Sequence, residues 1–159
     1  MPRLAPELAI LLDALDRAFD TRSWHGPGLR GLIRGVTPRQ ALWRPGAGRH
    51  SIWELALHTA YWKYAVTRRL TGASIGGFPR KPSNWPGAPT RPDTSRWRED
   101  MALLESEHRR LRTAVASLDP RRLSRRLGRS WTVAQTVEGV AAHDLYHAGQ
   151  IGLIKRMIP

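Results

Sequence analysis

Between Trp97 and Leu118, the residues Trp97, Met101, Leu104, His108, Leu111, Val115 and Leu118 recur at alternating intervals of four and three. Only an α-helix returns side chains to one face at that period. A stripe this long predicts a helix packed along its whole length against other helices. Asp93 or Thr94 begins it and Asp119-Pro120 stops it. A chain with one such helix must supply partners for it, and three more stretches qualify. Residues 5–20 place Leu8, Leu11, Leu12, Leu15 and Phe19 on one side and Asp13, Asp16 and Arg17 on the other, the pattern of an amphipathic helix. Ser51-Ile52-Trp53-Glu54 and Thr132-Val133-Ala134-Gln135 are both capping boxes, in which the hydroxyl accepts from the third helical N–H and the Glu or Gln reaches back to the cap. They open helices running to about Leu70 and to Met157.

The connections are of two kinds. After Gly26-Pro27-Gly28, residues 29–36 form a short apolar piece, and Thr37-Pro38-Arg39-Gln40 starts another helical turn that ends near Trp43. Residues 72–92, by contrast, show no periodicity and are broken repeatedly by Gly and Pro. A structureless stretch of this length is more often functional than idle, and Phe78 and Trp85 within it need a surface to lie on. The expected fold is all-α: one domain over residues 1–159, a four-helix bundle with short extra helical turns between the first and second long helices and a long loop between the second and third.

Composition narrows the chemistry. The chain has no cysteine among its 159 residues, which excludes disulfides, thiolate metal ligands and a cysteine nucleophile. No apolar run is long enough to span a membrane, and the N-terminus has an interrupted amphipathic pattern instead of a basic region followed by an apolar one, so a cytoplasmic protein with no membrane association is expected. The net charge is +13, and all but three of the 26 cations are arginine. They are scattered, and no nucleic-acid-binding motif accompanies them. The scatter favours a solvated basic surface first, an anionic small-molecule substrate second and nucleic acid last.

The last long helix contains His143 and His147, four residues apart and therefore one turn apart on one face. That pair is a chance-level signal until a third ligand joins it. In the second long helix, His58 shares a face with Leu55, Tyr61, Trp62 and Ala65, so it points toward the core. A lone inward histidine is usually a hydrogen-bonded core residue. Three from two helices can instead meet around one ion, leaving at least one coordination position open, as in catalytic sites. Neutral imidazole suits zinc, nickel, iron or copper and does not by itself choose among them; the expected cofactor is a divalent transition metal, zinc first, with nickel, iron or manganese as alternatives. Gln150 lies on the same helix face, either behind a ligand, facing a substrate, or in an interhelical hydrogen bond. His108 is expected to be a buried, paired histidine, with an approach to the metal or a role as a base as its other reading. Trp85 is the best candidate for a lid contact. Tyr146 and Trp62 read as core first and pocket wall second. His143-Asp144-Leu145-Tyr146-His147 also has the outline of an H-E-x-x-H protease helix with Asp144 as base, but aspartate is a methylene short and a small bundle has no strand edge to hold a peptide.

These residues resemble the DinB-like superfamily. The resemblance rests on His58 in Trp53-Glu54-Leu55-Ala56-Leu57-His58 and on the last-helix motif from His143 to Ile151, and it covers nearly the whole chain. It implies a four-helix bundle with a metal at His58, His143 and His147. It further implies a metal-dependent enzyme of the transferase or hydrolase type, activating a small, anionic thiol cosubstrate or water. A homodimer is also expected. The competing expectation is a basic module associated with nucleic acid or stress response, without catalysis.

Overall fold

The computed structural model describes residues 4–20, 22–72 and 76–159. Four long helices form the body: α1 (Pro6–Phe19), α4 (Ile52–Thr71), α5 (Thr94–Ala116) and α6 (Val133–Met157). Between α1 and α4 lie two single-turn helices, α2 (Leu29–Ile33) and α3 (Pro38–Leu42). Among the described residues, no helix is long and apolar enough to cross a membrane.

The local signals in the sequence start the helices where expected. Ser51 Oγ accepts from the Glu54 N–H and Glu54 accepts from the Ser51 N–H, while Thr132 and Gln135 do the same for α6 and Thr37 and Gln40 for α3. Asp93 caps α5 through the Arg96 N–H. Gly72 ends α4 with φ at 64°, a conformation that disfavours a Cβ. The stripe is inward: Trp97, Leu104, His108, Leu111 and Val115 on α5 and Leu118 just past its end are buried, and Met101 is half-buried.

Two two-residue hairpins are added to the expected elements, Arg22–Ser23 (β1) with Gly26–Pro27 (β2) and Arg126–Leu127 (β3) with Trp131–Thr132 (β4). A ladder that short has no alternation to reveal it in the sequence.

Each long helix touches two others: α4 packs on α5 and α6, and α1 on α5 and α6. Side-chain pairs give the directions. Trp53, near the start of α4, meets Trp97 and Asp100 near the start of α5, and Arg122, just past α5, reaches the Leu70 carbonyl at the far end of α4. The two helices are therefore parallel. The chain leaving α4 must travel back along the bundle before α5 can begin, which is the physical reason for the long loop. α6 runs against α4, since His58 meets His143 and His147 while Arg69 shares a groove with Gln135 and Thr136.

The returning loop is fastened at several points. Arg80 Nε donates to Asp100 Oδ1 at 2.6 Å, beside Trp53 Nε1 and Arg96 Nε on the other carboxylate oxygen. Tyr64 donates to the Gly76 carbonyl, and Phe78 is buried between Tyr61 and Tyr64. Asp100 is wholly buried, and those three donors are what make a charge there tolerable.

The core is two apolar clusters with a polar layer between them. One is built on Phe19, Leu29, Trp53, Leu104 and Ile151, the other on Leu12, Leu15, Leu70, Leu111 and Val137. In the layer, Lys63 on α4 and Asp144 on α6 form an ion pair with both side chains fully buried. Burial pushes Lys63 down and Asp144 up, each opposed by the partner's charge. Glu107 and His108 on α5 are buried as well, as are His58 and His147, while His143 is half-buried.

Candidate metal centre

His58 projects from the middle of α4, and His143 and His147 from successive turns of α6. Their Nε2 atoms converge: His58 Nε2 to His143 Nε2 is 3.1 Å, and His147 Nε2 to His143 Nε2 is also 3.1 Å. Zinc–imidazole bonds at a tetrahedral centre imply nitrogen–nitrogen edges of about 3.3 Å. Among the described residues these three are the group of His, Asp and Glu side chains whose ligand atoms come together tightly enough to hold an ion.

The surrounding hydrogen bonds decide which nitrogens are free. His58 Nδ1–H donates to the Asn84 carbonyl at 2.5 Å, and His147 Nδ1–H donates to Gln150 Oε1 at 2.6 Å. A carbonyl only accepts, so the ring proton sits on Nδ1 and each Nε2 presents a lone pair. Burial is the largest cause holding all three rings neutral. It lowers His58 to about 4 against the Asn84 hydrogen bond, lowers His143 to about 3 with help from His147, His58 and Lys63, and lowers His147 against the Gln150 hydrogen bond. His143 Nδ1 has no hydrogen-bond partner among the described residues, so its ring proton can stand on Nε2 between the other two lone pairs, where a divalent cation would take its place. The donor set therefore fits a borderline transition metal.

The loop completes the site. Trp85 stacks on His58 at 3.7 Å with its planes 7° apart, and His50 stacks on the other face of Trp85 at 3.7 Å. Asn84 stands at φ 71°, a left-handed conformation that asparagine tolerates better than most residues, and its Oδ1 accepts from Trp62 Nε1 at 2.9 Å. One residue thus holds His58 with its backbone and Trp62 with its side chain. His50 and Asn84 were not legible as site residues. The available signal was an Asn before Trp85-Pro86 in a loop with no other reason for its aromatics.

Gln150, Trp85 and Trp62 all border the trio. His108 does not: it stacks on Phe19 at 3.9 Å, and its Nε2 lies 3.8 Å from Asp16 Oδ1, on the side of α5 that faces α1. Its place in the four-three stripe had left its neighbour undetermined, and the partner is α1. Tyr146 is 66% exposed and so is not core, because its position next to His147 turns it off the inward face of α6. Asp144 corrects the protease-like reading. It points at Lys63 inside the bundle and away from the convergence of the Nε2 atoms, so it cannot serve that site as a base.

Two predictions arise from these contacts. Gln150→Leu removes the acceptor that fixes the His147 ring, and metal affinity should fall about 10- to 100-fold, read by competition with a chelator. His108 concerns stability. Burial first, then Lys63, Arg112, Arg30 and Arg109, push it to about 3, below its ordinary 6.5, while Asp16 on α1 faces it from the other side. Below pH 6.5 the unfolded chain takes up a proton that the folded chain refuses. The stability is therefore complete above 6.5 and is lost as pH falls toward 3. Between pH 7 and pH 5 that loss is about 2 kcal/mol. Urea melts of His108→Leu at the two pH values should show that much less acid sensitivity than wild type.

The fold and the site together define a class: helical bundles that gather three histidines from two antiparallel helices around one point. Within it the particular family is plain, for the chain belongs to the DinB superfamily, whose family model matches residues 23–151. No curated protein and no solved structure matches the chain significantly.

Proposed function

We propose that the protein is a metal-dependent enzyme acting on a small organic substrate, of the transferase or hydrolase type, with His58, His143 and His147 as ligands of a divalent transition metal, zinc first. The observation that carries this is the convergence of three Nε2 atoms, two of them stripped of protons by fixed partners at Nδ1. A divalent metal bound there supplies Lewis acidity, lowering the proton affinity of a thiol or water brought to it. The absence of cysteine from the chain is compatible with a thiol that arrives as cosubstrate.

The chain's own contribution is positional. Asn84 and Gln150 orient two of the rings, and the Trp85 stack covers His58 and keeps water from that face. Two grooves end at the trio, one of about 400 Å³ at His143 and one of about 650 Å³ at His147, so a small molecule has a route to either side.

The same reading takes a cytoplasmic location and a second copy of the chain as partner, for which Tyr146, Leu153 and Met157 on α6 offer exposed apolar side chains. The nucleic-acid reading gains no support from the arginines. Many are engaged with carboxylates along the surface, among them Arg17 with Asp13, Arg30 with Asp20, Arg44 with Glu54 and Arg112 with Asp16. Elemental analysis of wild type beside His58→Ala, after expression with metal supplied, tests the proposal. Stoichiometric metal in wild type and none in the variant is expected; no metal in either would sink it.

A further inference from the structure

The smaller groove, between α4, the β3–β4 hairpin and α6, is built in a way that the metal ligands do not explain. Its lining is mainly apolar and includes Trp62, Val66, Arg69, Trp131, Gly139 and, at its inner end, His143. Trp131 is 63% exposed on a two-residue strand, so the core does not account for it. Arg69 lies over the Trp62 ring at 5.9 Å and has no carboxylate within ion-pair distance among the described residues, unlike many arginines of the surface. Gly139 sits inside α6, where glycine costs about 1 kcal/mol relative to alanine. A Cβ added there would meet no atom within 4 Å, so no neighbouring chain requires the glycine. What its missing side chain does is leave the groove open one turn before His143.

We propose that this groove takes an organic anion with a flat apolar body, the body lying against Trp62 and Trp131 and the anionic group on Arg69. That this ligand is the substrate rests on the metal-dependent reading above; its chemical class rests on the groove alone. Indole walls offer wide contact at little entropic cost, and a guanidinium with no carboxylate partner among the described residues gives an anion charge-assisted hydrogen bonds. The net charge of +13 draws anions toward the surface in general, while Arg69 determines where this one stops.

The test uses 4-phenylbutyrate and its neutral counterpart 4-phenylbutanol as calorimetric probes. They are titrated into metal-loaded and chelator-treated wild type, Arg69→Gln and Gly139→Leu, with folding of each variant checked by circular dichroism. The acid should bind wild type about tenfold more tightly than the alcohol, with or without metal. Arg69→Gln should abolish that preference while leaving alcohol binding unchanged, and Gly139→Leu should weaken both probes about tenfold or more. Equal binding of acid and alcohol, indifference to Arg69→Gln, or acid binding that vanishes with the metal would overturn the proposal. If the groove binds as expected in a protein that takes up no metal, the ligand class stands and the metal-dependent reading falls. If metal binds and the probes do not, the reverse holds.

Discussion

Lys63→Met is expected to destabilise the protein by about 3–5 kcal/mol, the largest loss of any single substitution considered. The mechanism is a charge left behind. Lys63 and Asp144 are both fully buried; Lys63 Nζ meets Asp144 Oδ2, and Asp144 Oδ1 has no hydrogen-bond partner among the described residues. Methionine fills the volume of the lysine stem but leaves the carboxylate buried with nothing to donate to it. The double variant Lys63→Met/Asp144→Leu removes both charges and should recover most of the loss, because well-packed apolar side chains commonly replace a buried pair at no net cost. Chemical denaturation of the two variants beside wild type measures both effects. A single variant within about 1 kcal/mol of wild type would mean that the carboxyl folds protonated and that the pair is not ionic. The pair lies beside the three-histidine cluster, since Asp144 follows His143 on α6, and it joins α4 to α6 at the level where the histidines meet.

The second large effect is thermal. Zinc added to metal-free wild type at about a thousand times its dissociation constant should stabilise the fold by about 4 kcal/mol, a rise in Tm of about 10 °C. His143 is the ligand whose Nε2 lies 3.1 Å from both others, so His143→Ala should abolish the shift entirely. The metal-free variant should remain folded, since His143 is half-buried and its ring nitrogens have no hydrogen-bond partner outside the trio among the described residues. A comparable shift in wild type and in His143→Ala would place the metal somewhere other than this trio.

These two predictions come from opposite ends of what a sequence can express. His58, His143 and His147 were legible because each lies at a known phase of a capped helix. The caps at Ser51 and Thr132 and the apolar period around them are local, so the direction of each imidazole follows from positions a few residues away. Lys63 was not legible. It lies five residues beyond His58 in the same helix, and nothing nearby separates it from a lysine that reaches solvent. Its burial depends on Asp144, 81 positions later. Asn84 is similar: its carbonyl holds His58 across 26 positions, and no period links a loop residue to a helix.

Taken by itself, the sequence determined the four long helices, their inward faces and the three histidines, because helical phase and capping are settled by contacts within one or two turns. The tertiary structure decided the rest. It made α4 and α5 parallel and so turned the long loop into a strap past the site. It brought Asn84, Trp85 and His50 to His58, paired Lys63 with Asp144, and sent His108 to Phe19 and Asp16. Each of these depends on which helices become neighbours, a choice made by the burial of whole faces against one another rather than by any short stretch of chain.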